Sequence, residues 1–309
     1  MKLNSILLAM LEVSEGVDPG VDGTHVMETV DGISVTQYDG EKVTRNVDSV
    51  IPSVGPEINK SPHSTWSFNI DAAGSGTKGT APAFGCLLQA CGFVETVDTA
   101  TPGSETVTYE LSHNKSKTVT LVRHTGGKMI QKTHGVRGEL SIDFNQFVRM
   151  QFGNCKGSYV RPSPGGNPVT IAYSNYADPL PINKDNTVTV ELGGQALKMT
   201  GGSINFGGGV NHRNIPNSES SAHGDFEPTG QVTFIAPDIA AKNYFADAES
   251  HNGVTEQAFK LVHGTVGGNI IEIVSARVQL SNISESDIDG DVGFQADIRF
   301  LEAPKLIFK

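Results

Sequence analysis

Apolar and polar side chains alternate along this chain in blocks of strand length. Glu139-Leu140-Ser141-Ile142-Asp143-Phe144 alternates strictly with a period of two, so one face is expected to be buried and the other wet. Thr187-Val188-Thr189-Val190-Glu191-Leu192, then Gly193-Gly194, then Gln195-Ala196-Leu197-Lys198-Met199 reads as a hairpin with a two-glycine turn. Residues 106–111 and 118–123 also alternate, and the polar run Ser112-His113-Asn114-Lys115-Ser116-Lys117 between them reads as the turn of a second hairpin. Residues 292–300 form a closing strand. Two stretches carry helix signals. Residues 80–92 offer Thr80 as a cap, Pro82 early and Gly92 at the end, and residues 238–246 follow Pro237. The pattern predicts an all-β chain with short helices.

Part of the pattern occurs twice. Leu121-Val122 and Arg137-Gly138-Glu139-Leu140-Ser141 reappear as Leu261-Val262 and Arg277-Val278-Gln279-Leu280-Ser281 at a constant offset of 140 residues. His124-Thr125-Gly126-Gly127 has a looser echo at residues 263–268, and Arg45-Asn46-Val47 resembles Arg213-Asn214-Ile215. Each half is expected to run strand, Arg-Asn loop, strand, short helix, strand, Gly-Gly turn, strand. The expected organisation is a first domain over 1–160, a linker over 161–168 and a second domain over 169–309. A duplicated unit lets three chains supply six quasi-equivalent positions in a ring. The linker carries three prolines and two glycines, a composition that does not continue a helix or strand.

Length and composition fit this picture. A chain of 309 residues is long enough for two cores, and 35 glycines with 15 prolines suit a turn-rich β protein. The formal charge is −11, and fourteen Asp/Glu against seven Lys/Arg after residue 200 place most of it in the last third. Such a charge argues against tight binding of a phosphate backbone; it is compatible with a conduit along which DNA slides, but the plainer reading is an acidic surface that keeps the protein soluble. Cys86, Cys91 and Cys155 show no metal-ligand spacing and read as small buried hydrophobes of a reducing compartment. The opening Met1-Lys2-Leu3-Asn4-Ser5-Ile6-Leu7-Leu8-Ala9 has too short an apolar run for an export signal. No segment has the ~18–20 apolar residues that span a membrane.

Catalytic, metal and cofactor motifs are not legible. The nine histidines are scattered. Gly74-Ser75-Gly76-Thr77-Lys78-Gly79-Thr80 departs from the order of a phosphate loop. Asp287-Ile288-Asp289-Gly290-Asp291 departs from a calcium loop, with glycine at the fourth position and Ile298 at the twelfth, and reads as a solvated turn. An enzyme is not expected. Two long Pro-punctuated stretches, residues 43–64 and 207–227, are of a length that usually serves a partner.

The start Asn4-Ser5-Ile6-Leu7-Leu8-Ala9, with Glu12 and Gly16-Val17-Asp18-Pro19, resembles the opening of major tail tube proteins of long-tailed, non-contractile phages and related prophages. Gly76-Thr77-Lys78-Gly79-Thr80-Ala81-Pro82-Ala83-Phe84-Gly85-Cys86-Leu87-Leu88-Gln89-Ala90-Cys91-Gly92-Phe93 is similar to the most recognisable stretch of that family, and residues 144–157 also fit. The first half resembles the family in sequence, the second by architecture only. The resemblance implies β-barrel or β-sandwich domains, rings stacked into a tube, and passage of double-stranded DNA. It further implies a place in the virion tail after assembly in the host cytoplasm, and tape-measure, baseplate and tail-terminator proteins as partners beside other copies of the chain. The length departs from single-copy tube proteins, which form hexameric rings, and so trimers with pseudo-sixfold symmetry are expected. A C-terminal decorating domain is the alternative for the extra mass. Arg45, Asn46, Pro52 and Pro56 in the first long loop, and Arg213, Asn214 and Pro216 in the second, are the candidates for contact between rings. Glu139, Ser141, Asp143, Gln295 and Asp297 are the candidates for an acidic lumen. Rival readings are a baseplate or terminator ring of the same fold, and a carbohydrate-binding β-sandwich, which the single Trp66 and the missing export signal disfavour.

Overall fold

The computed structural model describes residues 5–45, 48, 50, 54–113, 117–167 and 170–309. The first half contributes β1 (Ser5–Leu11), β2 (Val26–Met27), β3 (Val30–Asp39), β4 (Lys42–Thr44), β5 (Glu57–Asn59), β6 (His63–Asp71), α1 (Gly85–Ala90), β7 (Phe93–Asp98), β8 (Thr106–Leu111), β9 (Val119–Thr125), β10 (Met129–Phe144) and β11 (Val148–Tyr159). A two-residue β12 (Ser163–Pro164) follows, and then β13 (Thr187–Leu192), β14 (Gln195–Ala196), β15 (Met199–Asn205), β16 (Val210–Ile215), β17 (Ser218–His223) and β18 (Thr229–Ile235). The chain ends with α2 (Tyr244–Ala248), β19 (Gln257–His263), β20 (Ile271–Ile288), β21 (Asp291–Phe300) and β22 (Lys305–Phe308).

Most strands join one large antiparallel sheet, with β4–β5 and β16–β17 as separate two-stranded hairpins. In the first half the hydrogen-bonded order is β3, β6, β11, β10, β9, β1. In the second it is β15, β18, β21, β20, β19, β13. Two pairings tie the halves together. Ser141, Ile142 and Asp143 of β10 face Asn205, Ile204 and Ser203 of β15, and the C-terminal β22 lies between β20 and β8. The buried apolar side chains accordingly form one main cluster that draws on both halves, with a small satellite of Leu8, Val26 and Val122. The expectation of two cores gives way to a shared one, because the row Ile70, Met150, Ile142, Ile204 crosses the joint without interruption. Each such side chain contributes ~1.5–3 kcal/mol when fully buried.

Several sequence expectations are corrected locally. Residues 106–111 and 118–123 do not pair as a hairpin: β8 pairs with β7 and β22, while both edges of β9 are taken by β1 and β10. Thr80 caps no helix. The helix begins only at Gly85, after a turn in which Gly85 N donates to Pro82 O at 2.8 Å, and Gly92, with φ +94°, follows its C-cap. The second helix begins at Tyr244, where the Asn243 side chain accepts from the N–H groups of Phe245 and Ala246. The Gly193-Gly194 turn is as expected, with φ of +60° and +75° at the two glycines, the mirror-image turn that suits a twisted hairpin. Within the linker, Ser163 and Pro164 pair with Ile130 and Met129. Gly74 is a packing requirement: its amide donates to Asn269 Oδ1, and a Cβ there would lie 1.9 Å from the carbonyl oxygen of Gly268.

Candidate functional site: a polar face across the joined sheet

Opposed residues of antiparallel strands project to the same side, so the ladder registers define rows. One row reads Asp71, Arg149, Asp143, Ser203, Gln231, Asp297, Asn282 from β6 through β11, β10, β15, β18 and β21 to β20. The next reads Asn69, Gln151, Ser141, Asn205, Thr229, Arg299, Gln279. Alternation puts these side chains opposite the buried apolar row, on one continuous polar face.

The face is held by its own hydrogen bonds. Arg149 Nε donates to Asp71 Oδ1 at 2.7 Å and Nη1 to Asp31 Oδ2 at 2.5 Å. Asn145 Nδ2 donates to both oxygens of Asp143. Gln231 Nε2 and Asn282 Nδ2 donate to the two oxygens of Asp297 at 2.9 and 3.1 Å. The two rows carry three carboxylates and two arginines among amides and hydroxyls, and one of those arginines is spanned by two aspartates.

The structure brings Ser141, Asp143 and Asp297 onto this face, and Gln295 shares their strand face, opposite Thr233. Glu139 is diverted: its Oε1 accepts from Asn154 Nδ2 at 2.5 Å and from the Val210 amide at 3.1 Å, so it anchors the β16–β17 hairpin. Arg149, Asp71, Gln231, Asn205 and Asn282 were missed, although the same period of two in β6, β11 and β18 could have pointed to most of them.

Each long loop includes a hairpin: three rungs between β4 and β5 in the first, and β16 with β17 in the second. Residues 210–223 pair over six rungs and lie across β10 and β11, with Ser221 Oγ donating to Lys156 O at 2.8 Å and Arg137 donating to Ser221 O. His212 stacks on His63 at 5.0 Å and sits 3.2 Å from Glu219 Oε1, and burial holds its imidazole below the usual range, with the neighbouring His63 charge pushing the same way. The hairpin tip, with Arg213, Asn214 and Pro216, is exposed. In the first long loop Arg45 and Pro56 are exposed beside β4 and β5, whereas Asn46 and Pro52 lie outside the described residues. Val43, Val50, Val54 and Ile58 of this loop are also exposed.

Other candidate chemistry is absorbed by packing. Trp66 is fully buried and donates from Nε1 to Thr133 Oγ1 at 2.9 Å, so it offers no stacking platform to a sugar. Burial pushes the Cys155 thiol up to about 12 and Cys91 well above the ordinary range, which leaves both thiols protonated and inert. Residues 287–291 form the β20–β21 turn, in which the Gly290 amide bonds Asp287 Oδ1 at 2.8 Å. No helix among the described residues is long and apolar enough to cross a membrane.

An extended antiparallel sheet with one polar face running through both halves and two projecting hairpins describes a structural building block. A family model described as phage tail tube protein matches residues 25–300, and the chain belongs to that family. A search of curated proteins found no match. The protein is a structural component of the phage tail in the virion, and not an enzyme; it assembles with itself and with other tail proteins.

Proposed function

We propose that three chains close into a ring of six quasi-equivalent units, that rings stack into the tail tube, and that double-stranded DNA passes through the lumen. The observation that carries this is a match between sequence offset and strand pairing. Leu121 faces Thr133 and Val122 faces Lys132; exactly 140 residues on, Leu261 faces Ile273 and Val262 faces Glu272. Six strands in the same order flank these pairs in each half, with a short helix following the third, which supports an internal duplication. Electron microscopy of assembled protein viewed end-on tests the reading. Three chains per ring with pseudo-sixfold density is the expected result, and six chains per ring would overturn it. Isolated rings that never extend would place the protein at an end of the tube.

On this reading the polar face lines the channel. It is dominated by neutral amides and hydroxyls, with carboxylates in excess over arginines, a surface that gives DNA phosphates little to hold. The hairpin at 42–59 and the tip of the hairpin at 210–223 are the contacts to neighbouring rings, supported by their exposure and by the apolar side chains the first displays. Tape-measure, baseplate and terminator proteins are the further partners this role requires.

A further inference from the structure

The joint between the halves supplies a template for the joint between chains. Within the chain, β9 covers one edge of β10 only as far as Val136, and β15 fills that same edge at Ser141–Asp143. In the second half β19 covers the corresponding edge of β20 only as far as Val278. Beyond that point β20 continues to Ile288, paired with β21 on its other edge. Among the described residues no strand fills the vacated edge, and Ser281, Asn282, Ser284 and Glu285 are exposed there. At the other end of the chain β3, which holds in the first half the place of β15, pairs among the described residues with β6 alone, and a groove opens along Gly32, Ile33 and Ser34. The chain thus carries one open edge of each kind, and these are the two edges that its internal joint brings together.

The ladders give the register. Leu140 and Leu280 face Phe152 and Ile298; these face Phe68 and Gly230, which face Ile33 and Ile204. Ile33 therefore stands where Ile204 stands. The bulge between Leu280 and Asn282 inserts one residue, so that Ile283, facing Ala296, takes the place of Ile142, facing Met150. We propose that β20 of one chain pairs with β3 of the next, with Asn282 opposite Ser34 and Ile283 opposite Ile33, copying the internal joint at Ser141–Asn205 and Ile142–Ile204; the copy stops there, because β3 bulges at Asp31 and Gly32, between Ile33 and Val30, where β15 runs straight. The proposal rests on the ring reading above and names the surface that closes it. The contact is head-to-tail, the type that generates rings when its rotation closes. It continues the polar face from one chain into the next. It also lays β4 and β5 over the neighbour's β20 and β21, as the 210–223 hairpin lies over β10 and β11, covering Val43 and Ile58 and leaving Val50 and Val54, between the two strands, for the contact to the next ring.

A Ser34→Cys/Asn282→Cys double variant tests the register, since residues directly opposed on antiparallel strands lie ~4.5–5.5 Å apart at Cα, within disulfide reach. After assembly and mild oxidation, linked dimers and trimers on a non-reducing gel are expected. Each single variant should give none, and neither should Ser34→Cys/Ser286→Cys, which is displaced by roughly 13 Å along the strand. Hydrogen exchange on the unsubstituted protein gives an independent reading: the segments 33–34 and 282–283 should gain amide protection on going from monomer to ring. Rings of three chains that neither cross-link nor gain this protection would overturn the pairing and leave the ring intact. Protein that forms no three-chain ring would overturn the reading on which the pairing rests.

Discussion

At the scale of single residues, Glu12 organises more of the first half than its position near the N-terminus suggests. Its buried carboxylate accepts from the amides of Gly16 and Gly135 and from the hydroxyls of Thr118 and Thr120, each at 2.7 Å, tying the loop after β1 to β9 and β10. Hydrogen bonds to a charged acceptor are each worth ~1.5–3 kcal/mol net, and buried donors left unpaired add their own cost. Glu12→Ala is expected to destabilise the monomer by about 3–5 kcal/mol in urea unfolding, and Glu12→Gln by less, since the amide oxygen still accepts. A second residue-scale expectation concerns pH. His212 is held neutral by burial, with His63, Glu219 and Lys156 as its charged or titratable neighbours. A group whose folded pKa is depressed contributes stability that is complete above its unfolded value of ~6.5 and falls away as the pH drops below it. Hydrogen exchange of residues 210–223, corrected for intrinsic rates, should therefore show weaker protection at pH 5.5 than at 7.5. His212→Asn should flatten that difference.

At the scale of elements, the two long hairpins occupy matching places in the chain but differ in what they touch. The one at 210–223 buries Val210 and Ser221 against its own first half, while the one at 42–59 leaves Val43 and Ile58 exposed. A hairpin of three rungs that displays apolar side chains is marginal alone and gains its stability from a partner. Replacing residues 46–55 by a Gly-Gly turn should leave a folded, soluble chain that no longer polymerises into tubes. Circular dichroism with negative-stain microscopy checks this, and normal tubes from the shortened protein would remove the hairpin from assembly. The reading of residues 106–123 as a hairpin failed at this same scale. Both segments are good strands, but sequence proximity did not decide their partners: β9 is enclosed by β1 and β10, and β8 serves β22 from the far end of the chain.

At the scale of the whole molecule, electrostatics is the quantity that assembly multiplies. DNA carries a charge about every 1.7 Å, so a few cations per ring, repeated along a tube, amount to a long array of weak anchors. On the proposed reading, in which the polar face lines the channel, it avoids this by pairing Arg149 with Asp71 and Asp31 and by placing Asp143 and Asp297 along the same row. Asp143→Lys/Asp297→Lys should still assemble, because both side chains lie on the wet side of the sheet, yet release of the genome from the resulting virions should slow, most of all at low salt. Ejection followed by the appearance of nuclease-accessible DNA measures it. An unchanged rate would mean that this face does not line the channel.

The sequence by itself determined what depends on neighbours along the chain. The alternation in residues 139–144 and 292–300 set which side chains of β10 and β21 are buried, because a strand exposes its faces by turns whatever it pairs with. The glycines at 193–194 and 290 marked their turns for equally local reasons. The same alternation put Asp143 and Asp297 on the polar face, but it gave no sign that Glu139 would hold a hairpin that begins 71 residues away in the chain. The tertiary structure alone decided which strands meet: β15 on the open edge of β10, β22 between β20 and β8, and a single main core where two were expected. Strand partnership is a matter of which edges remain unfilled once the sheet has formed, and no property of a strand's own residues records that.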